Sequence, residues 1–214
     1  MNSAVIVAGG RGSRVGKNIP KQFLKINGEE ILSYSVNTFL KHPNINEVII
    51  VSHSDWIDVV SEKYKNCKVI VGGDRRQDSS LNGILATDNL TTNVLIHDAA
   101  RPFVSTEIIT ACLEALNHSD GTAPIMKTSN SLIQLENGVA SYVDRAKIRE
   151  LQTPQCFKKK LILDVLSSEI EGTDEIGMVI KIYPNSILKF IPSNKINNKI
   201  TSDIDLNFFK SFFN

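Results

Sequence analysis

The sequence predicts a doubly wound α/β fold, in which a mostly parallel, Rossmann-like sheet carries a protruding β-hairpin arm. Short apolar runs alternate with stretches of helical spacing, which is the pattern of strands joined by crossover helices. Three of these runs end in glycine-rich or charged loops, and ligands of such folds bind beyond the carboxyl ends of the strands. Asn137-Gly138, between two strand-like runs, indicates the hairpin.

Length and composition indicate one domain over residues 1–214. With 42% hydrophobic and 22% charged residues the chain can bury one substantial core, and no linker-like segment divides it. The formal net charge of +1 provides no broad positive face for nucleic acid. We therefore expect no nucleic-acid partner and read positive charge near the glycine loops as a local site.

The cysteines and the apolar runs bear on the compartment. Cys67, Cys112 and Cys156 are widely spaced and lack the paired spacing of a zinc site, so a reducing cytoplasm suits them. Cys112 falls in an apolar helical stripe and is expected in the core. We expect neither a signal peptide nor a membrane span, because the first strand begins almost at Met1 and no apolar run is long enough to span.

Apolar runs and turn residues place the individual elements. Strands are predicted at residues 4–8, 47–52, 68–71, 93–96, 122–126 and 187–191. Helices are predicted at residues 31–40, 55–65 and 105–117, from residue 173 and from residue 203, with caps at Asp55, Ser105 and Thr173-Asp174-Glu175. The arm covers about residues 131–143, with strands at 131–134 and 139–143.

A glycine loop, Gly9-Gly10-Arg11-Gly12-Ser13-Arg14, follows the first predicted strand and precedes Pro20-Lys21-Gln22. Glycines let backbone N–H groups approach a polyanion without an intervening side chain, and the two arginines and the lysine add positive charge. A plain strand-to-helix turn does not need three cations around three glycines. The segment therefore predicts a site for a nucleoside triphosphate.

Two better-known glycine motifs do not fit this loop. The dinucleotide fingerprint requires a glycine where Val15 stands, and the P-loop requires Ser or Thr after Gly-Lys, whereas the chain has Gly16-Lys17-Asn18. The remaining pattern, Gly-Gly-x-Gly-x-Arg and then Pro-Lys, resembles that of nucleotidyltransferases that join a sugar or polyol phosphate to a nucleotide.

A second glycine loop, Gly72-Gly73-Asp74, follows the third predicted strand. Ser79 and Asn82 come near the start of the next helix, where hydroxyl and backbone groups could recognise the edge of a base. Asp74 or Asp78 as a simple helix cap would explain one residue of this segment but not all of it.

The fourth predicted strand leads into Asp98 and Arg101. A carboxylate there can hold a divalent cation or a substrate hydroxyl, and the guanidinium can oppose a phosphate. His97 has no second ligand at metal spacing, so we expect a structural histidine. Lys199 falls in a polar turn, 197–201, where a functional lysine and a solvated one are equally ordinary.

The hairpin arm predicts a homodimer. Two strands alone are marginally stable, so an arm this far from the parallel core needs a surface that covers its apolar residues. A second copy of the chain is the simplest such surface.

Several motifs occur in a fixed order: Ala8-Gly9-Gly10-Arg11-Gly12-Ser13-Arg14, Pro20-Lys21-Gln22, Gly72-Gly73-Asp74 with Ser79, His97-Asp98-Ala99-Ala100-Arg101-Pro102, Gln152-Thr153-Pro154-Gln155, Thr173-Asp174-Glu175 and Asn198-Lys199-Ile200-Thr201. Together they resemble the cytidylyltransferase family that contains 2-C-methyl-D-erythritol 4-phosphate cytidylyltransferase and ribitol-5-phosphate cytidylyltransferase. The resemblance runs from Ser3 to about Asp205. Each motif alone is weak, whereas their order over nearly the whole chain is specific.

The resemblance implies an enzyme that joins CTP to a polyol phosphate, releases pyrophosphate, and takes Mg²⁺ on the CTP phosphates, with no metal ligand assigned among the residues of the chain. Catalytic roles would fall on Arg14, Lys21 and Lys199. The implied nucleotide-binding residues are Ala8, Gly9, Gly10, Arg11, Gly12, Ser13, Gly73, Asp74, Ser79 and Ala99. The implied substrate-binding residues are Asp98, Arg101, Thr128, Arg145 and Thr153, with Arg145 reaching the partner subunit's second substrate.

One departure from the family leaves the polyol open. Many members carry an Asp-Thr pair after the strand that corresponds to 122–126, whereas this chain has Lys127-Thr128 or, aligned on the hairpin, Asn130-Ser131. Neither pair keeps the acid. Methylerythritol phosphate, an isoprenoid precursor, and ribitol 5-phosphate or another wall or capsule polyol phosphate therefore remain as alternatives.

Two other functions are weighed against this one. A related transferase could use another nucleotide, but the segments 97–102 and 153–155 argue against it. The chain could also be a catalytically silent nucleotide-binding protein. Arg14 and Lys21 together argue against that, because binding alone does not need a lysine directed at the α-phosphorus.

Overall fold

The structure, a computed structural model, describes residues 1–10 and 19–213 and has the α/β architecture that the sequence predicts. The strands are β1 (Asn2–Ala8), β2 (Lys25–Ile26), β3 (Glu29–Glu30), β4 (Glu47–Ser52), β5 (Lys68–Val71), β6 (Asn93–Asp98), β7 (Gly121–Lys127), β8 (Leu132–Glu136), β9 (Val139–Val143), β10 (Arg149–Leu151), β11 (Gln155–Lys158) and β12 (Leu188–Pro192). The helices are α1 (Ile31–Lys41), α2 (Ile57–Lys63), α3 (Arg76–Leu85), α4 (Thr106–Leu116), α5 (Lys159–Leu166), α6 (Glu175–Ile182) and α7 (Asp203–Lys210).

The main sheet is mostly parallel, with the strand order β10-β7-β11-β6-β1-β4-β5 and with β12 paired to β7. β1 pairs parallel with β4 and with β6, and β5 and β12 extend the parallel pairing at β4 and β7. Only β10 and β11 run antiparallel to their neighbours among the described strands of this sheet. The order of successive strands reverses at β1, and in doubly wound folds the crevice at that reversal binds the ligand.

Helices cover both faces of this sheet, and β1 alternates between the two cores they form. Ala4 and Ile6 pack into the core with α1, α2 and α4, whereas Val5 packs into the core with α3, α5 and α6. Phe39 and Phe157 are completely buried in the respective cores. Full burial of one such side chain contributes roughly 1.5–3 kcal/mol, so both helix layers are fixed by apolar packing.

The arm is a separate two-stranded sheet of β8 and β9. Its turn is Asn137-Gly138, with φ values of 50° and 80°, the left-handed backbone that an Asn-Gly hairpin turn requires. Cross-strand partners Ile133 and Tyr142 lie on one face with Leu135. These three side chains are 62%, 75% and 66% exposed, so the arm presents an apolar face to solvent.

Most predicted elements are confirmed, and one local prediction is corrected. Asp55 does not cap the second helix: the side chain of His53 caps a short 3-10 turn at Ser54–Trp56, and α2 follows it. In the polar turn 197–201, Asn197 and Ile200 are buried. Ser105 and Asp174 cap their helices as predicted, with Asp174 accepting a hydrogen bond from the amide of Gly177.

Several elements are absent from the prediction: β2, β3, β10, β11 and α5. α5 begins at Lys159, directly after β11, and its N-cap residue Lys158 makes no side-chain cap, so no start signal marks the helix in the sequence. β10 and β11 are short and form against β7, a partner distant in sequence. Among the described residues, no helix is long and apolar enough to span a membrane.

Candidate active site

The carboxyl ends of β1 and β6 and the loop after β5 open into a cleft of about 540 Å³, the nucleotide cleft. Its described lining contains Val7, Ala8, Gly9, Gly10, Lys21, Gln22, Gly73, Asp74, Arg75, Arg76, Ser79, Asp98, Ala99, Ala100, Lys199 and Thr201. The seven described residues that the family resemblance assigned to the nucleotide, Ala8, Gly9, Gly10, Gly73, Asp74, Ser79 and Ala99, are all in this lining. Asn82, which the sequence also suggested for recognition of the base, is not in it and instead donates to the Val71 carbonyl. Arg11, Gly12, Ser13 and Arg14, which carry the rest of that prediction, lie outside the described residues.

Gln22 fixes the described part of the first glycine loop. Its side-chain Nε2 donates hydrogen bonds to the carbonyl oxygens of Ala8, at 2.6 Å, and of Gly10, at 3.1 Å. Gln22 itself is buried. Because both acceptors are backbone carbonyls, this one side chain holds the described part of the glycine loop in place.

Ser79 fixes the second glycine loop. Its hydroxyl accepts a hydrogen bond from the Gly73 amide at 3.1 Å, and the side chain is almost completely buried. A Cβ added at Gly73 would collide with the Cβ of Asp78, so this turn requires glycine. Asp78 accepts from the Arg75 amide at 3.0 Å, which confirms the cap role weighed for it, whereas Asp74 lines the cleft.

A smaller adjoining pocket of about 220 Å³, the second pocket, is lined by Arg76, Asp98, Arg101, Leu151, Thr153, Gln155, Thr173, Asp174 and Lys199. Three of these residues, Arg76, Asp98 and Lys199, also line the nucleotide cleft. We call these three the shared wall. Two ligands bound in the cleft and in the pocket would therefore meet at the same three side chains.

Asp98 is the centre of the shared wall. Its carboxylate oxygens lie 3.1 Å from Nε of Arg76, 2.9 Å from Nζ of Lys199 and 3.6 Å from Nε of Arg101. Burial opposes ionisation of Asp98, but these three positive charges outweigh it and hold its pKa well below the usual range. The carboxylate is thus ionised throughout the physiological range and serves to assemble cations.

Arg76 is the residue of the shared wall that is anchored to a buried carboxylate, that of Glu175. Its Nη1 donates to both oxygens of Glu175, at 2.7 and 2.8 Å, and Ser80 donates to the same carboxylate at 2.7 Å. Burial alone would lower the pKa of Arg76, but Glu175 and Asp98 together raise it. Glu175 is 1% exposed, so its charge is balanced inside the protein by Arg76.

His97 has the structural role that the sequence predicts, and it holds two pocket residues. One ring nitrogen lies 3.0 Å from the hydroxyl of Thr153 and the other 3.0 Å from the carbonyl of Arg101. Burial lowers the pKa of His97 to about 4, so the ring is neutral near pH 7. The Thr153 hydroxyl also accepts from the Asp98 amide at 3.1 Å.

Lys199 reaches the wall because the chain on either side of it is buried. The Ile200 amide donates to the Ala100 carbonyl at 2.8 Å, and Ile200 packs with Leu206 and Phe209 of α7. On the other side, Asn197 donates to the Thr153 carbonyl at 2.9 Å. In the structure the lysine is therefore ion-paired in the shared wall, and not a fully solvated turn residue.

Thr128 and Arg145, two of the predicted substrate residues, line neither space in the described part of their own chain. Arg145 is exposed beyond the end of β9, and its Nη1 donates to the Ser129 carbonyl at 2.6 Å. Both residues thus lie near the base of the arm.

The sequence interpretation missed Arg76, Glu175 and Gln155 as site residues. Gln155 is buried and accepts from the Ile176 amide at 2.9 Å, which docks the start of α6 behind the second pocket. Arg76 follows the second glycine loop by two positions, and Glu175 belongs to the Thr173-Asp174-Glu175 motif. Their partnership, 99 positions apart, had no signal in a single sequence.

The fold and the site define a class. Two adjoining spaces, one with glycine loops and one with arginine and lysine, are suited to two phosphorylated ligands that react where they meet. This is the arrangement expected of a nucleotidyltransferase.

Comparisons with known proteins give the family. The sequence model of 2-C-methyl-D-erythritol 4-phosphate cytidylyltransferase (IspD) matches residues 2–213. A curated protein of that name from Clostridium botulinum (strain Loch Maree / Type A3) is 38% identical, covering 96% of this chain and 94% of the relative. The chain belongs to this family, and the prediction of a CTP-dependent polyol-phosphate cytidylyltransferase is confirmed.

Two further relatives bear on the fold and the substrate. A crystal structure of 4-diphosphocytidyl-2C-methyl-D-erythritol synthase from Anaerococcus prevotii superimposes with a TM-score of 0.90 at 25% identity, over 99% of this chain and 95% of that one. A bifunctional ribulose 5-phosphate reductase/CDP-ribitol pyrophosphorylase from Haemophilus influenzae is 34% identical, over 96% of this chain and 46% of the relative. Both polyols considered for the sequence, methylerythritol and ribitol, therefore occur in the names of relatives.

Proposed function

We propose that this cytidylyltransferase uses 2-C-methyl-D-erythritol 4-phosphate as its second substrate, within isoprenoid precursor synthesis. The family match and the 38% identical relative support this choice over other polyols. The observation that carries the mechanism is the shared wall, since Arg76, Asp98 and Lys199 border both spaces. The nucleotide and the polyol phosphate would meet there.

CTP would occupy the nucleotide cleft. In this proposal Ala8, Gly9 and Gly10 present backbone groups to the triphosphate, together with Arg11, Gly12, Ser13 and Arg14 of the same loop. The cytidine would lie against Gly73, Asp74, Ser79 and Ala99. The burial of Ser79 and its hold on the Gly73 amide support a preformed surface for the base.

The polyol phosphate would occupy the second pocket. Arg101 and Lys199 would bind its phosphate, because a dianion needs charge-assisted partners whatever carbon chain it carries. Asp98 would accept from a substrate hydroxyl and keep the cations in place, and Thr153 would add a hydroxyl. The three ion pairs on Asp98 support this division of roles.

The reaction would be an in-line substitution at phosphorus. An oxygen of the polyol phosphate forms a bond to the α-phosphorus while the bond to the bridging oxygen breaks, and pyrophosphate leaves with the electron pair. The attacking phosphate is already an anion, so no side chain has to remove a proton. Lys21, Lys199 and Arg14 would stabilise the negative charge that accumulates at the α-phosphorus.

Mg²⁺ would arrive on the CTP phosphates, as part of the substrate. The described residues contain no cluster of three acidic, histidine or cysteine side chains able to hold a metal, and the Asp98 carboxylate is occupied by three cations. The donor set of the described chain thus does not make a resident metal site. No step of the mechanism is assigned to a protein-bound ion.

We also propose a homodimer formed through the arm. The apolar face of Ile133, Leu135, Ala140 and Tyr142 is exposed in a two-stranded sheet that would gain stability from a covering surface. An isologous pairing would satisfy both copies at once. Arg145 and Thr128, near the arm's base, would then complete the second pocket of the partner subunit.

A cytoplasmic location fits this function. Cys67, Cys112 and Cys156 are all free thiols, and two of them are buried in the core. Free thiols persist in a reducing compartment, where CTP is also available.

Ribitol 5-phosphate is a second candidate for the polyol. Either Lys127, the last residue of β7, or Asn130 stands where many family members carry an acid, depending on the alignment, and this loss of an acceptor would change how substrate hydroxyls are bound. The relative from Haemophilus influenzae, whose name includes CDP-ribitol pyrophosphorylase, supports keeping this candidate.

The test is kcat/KM for both polyol phosphates on wild type, Lys127→Asp and Asn130→Asp. We expect wild type to prefer methylerythritol phosphate and Lys127→Asp to change the ratio between the substrates by roughly tenfold, the scale of one gained or lost hydroxyl partner. A wild-type preference for ribitol 5-phosphate would overturn the proposed substrate. An unchanged ratio in both variants would show that the 127–131 stretch does not recognise the polyol.

A further inference from the structure

We propose that Arg76 is a further substrate-contacting residue of this reaction, which grips phosphate where the two substrates meet, and that Glu175 is its positioning residue. The inference rests on the proposed function and adds a named contact to it. It starts from the hydrogen bonds of one side chain.

Two of the three guanidinium nitrogens of Arg76 are committed to carboxylates. Nε donates to Asp98 at 3.1 Å, and Nη1 donates to Glu175 at 2.7 and 2.8 Å. No hydrogen bond within the described part of the chain engages Nη2. The guanidinium is planar, so fixing two of its nitrogens also fixes the direction of the third.

The surroundings of Arg76 place it at the junction of the two spaces. Its side chain is 27% exposed and lines both the nucleotide cleft and the second pocket. The exposed part of the side chain can therefore contact a phosphate oxygen of CTP at the border with the polyol phosphate. A guanidinium held rigid before the substrates arrive stabilises developing negative charge without reorganisation.

Glu175 has the features of a residue that acts through Arg76. It is 1% exposed, lines neither space, and is held by the Ser80 hydroxyl as well as by Arg76. It begins α6, whose first turn is anchored to β11 through Gln155. The carboxylate is thus fixed by the fold, and it fixes Arg76 in turn.

The neighbouring arginine shows what a structural ion pair looks like in this loop. Arg75 uses all three of its side-chain nitrogens on Asp78 and Glu171. Its side chain is 52% exposed. Arg76 instead binds two buried carboxylates through Nε and Nη1, and no hydrogen bond of the described chain engages its Nη2. A buried ion pair by itself adds little stability, so stability alone does not explain this arrangement.

Removing both charges separates a substrate contact from a structural role. Arg76→Gln alone leaves Glu175 buried without its cation, which should lower Tm. The double variant Arg76→Gln/Glu175→Gln removes both charges, and two amides can hydrogen bond to each other. We expect Tm to return toward the wild-type value while kcat stays about 100-fold below wild type, the scale of one lost transition-state donor.

Three single variants complete the set. Arg76→Lys keeps the charge but not the planar geometry, so we expect kcat to fall at least about tenfold. Glu175→Gln keeps Arg76 on Asp98, so kcat should fall less than in Arg76→Gln. Lys63→Gln is the matched control: it breaks a 2.8 Å ion pair with Glu30 outside both spaces and should leave kcat unchanged.

Recovery of wild-type kcat in the double variant would overturn the proposal, since it would make the ion pair structural only. CTP affinity, measured by calorimetry without turnover, is the second readout. We expect the double variant to bind CTP several-fold more weakly than Lys63→Gln, and equal affinities would also count against the contact. A wild-type protein that binds CTP but turns over neither polyol phosphate would contradict the proposed function, while the affinity comparison would still decide on Arg76.

Discussion

The shared wall and the arm differ in whether the side chains that define them find partners within the same chain. Each charged group of the wall has an oppositely charged partner in the same chain: Asp98 contacts three cations, and Glu175 balances Arg76 behind it. The arm presents Ile133, Leu135 and Tyr142 with most of their surface in solvent. The ion pairs of the wall are therefore made within one chain, whereas the arm, in the proposed homodimer, is covered by a second chain. Changes at the two places should have separable effects.

The largest effect is expected from Lys21→Ala in the nucleotide cleft. Loss of one donor that acts mainly in the transition state should lower kcat by about two orders of magnitude or more, while the affinity for CTP changes far less. Steady-state kinetics and calorimetry measure the two quantities, and light scattering should show an unchanged oligomer. Equal losses in kcat and affinity would reduce Lys21 to a binding residue.

Leu135→Asp addresses the arm. A charge in the middle of the apolar face should convert the proposed dimer to a monomer in light scattering and raise KM for the polyol phosphate about tenfold or more, because Arg145 of the partner subunit is lost. Affinity for CTP should be unchanged. Gln134→Asp, which introduces the same charge on the other face of the same strand, is the matched control.

A wild-type monomer with full activity at working concentration would remove both the dimer and the role of Arg145. A Leu135→Asp variant that remains dimeric would place the interface elsewhere.

A smaller effect, on stability, is expected from His97, which contacts the Thr153 hydroxyl and the Arg101 carbonyl next to the shared wall. Its pKa is about 4 in the folded protein and about 6.5 unfolded, so the unfolded chain binds more protons in between. The free energy of unfolding should therefore decrease as pH falls from 6.5 to 4, by at most about 1.4 kcal/mol per pH unit from this residue. The pKa of Asp98 is lowered in the folded protein, so its contribution to the pH dependence of stability falls below the ordinary pKa of an aspartate. It hardly affects the window from pH 4 to 6.5.

Urea unfolding of wild type and His97→Gln at several pH values between 4 and 7 measures this contribution. The variant should show a shallower decrease over that window. Parallel pH profiles for the two proteins would mean that His97 is not held neutral by burial.

The sequence predicted the parts of the molecule that depend on local pattern. Apolar runs identified the parallel strands, glycine loops identified the nucleotide cleft, and Asn137-Gly138 identified the arm. It did not predict α5, which lacks a capping residue, or β10 and β11, which form only against a distant strand. Non-local pairing leaves no periodic signal in either segment.

The same limit applies within the site. Asp98, Arg101, Thr153 and Lys199 were recognised through the family motifs, and the structure brings them together. Arg76 and Glu175 were not, because their value comes from an ion pair between the first residues of α3 and α6. Residues of the 11–18 segment, including Arg14, lie outside the described part of the chain.

We expect CTP and a polyol phosphate to react with each other at the shared wall. The most direct test is product analysis by ³¹P NMR and mass spectrometry after incubating wild-type protein and Mg²⁺ with methylerythritol phosphate and equal concentrations of CTP, UTP, GTP and ATP. The account predicts one CDP-methylerythritol and one pyrophosphate for each CTP consumed, with the other nucleotides largely intact. A product built from GTP or another nucleotide, or no product with any polyol phosphate, would contradict it.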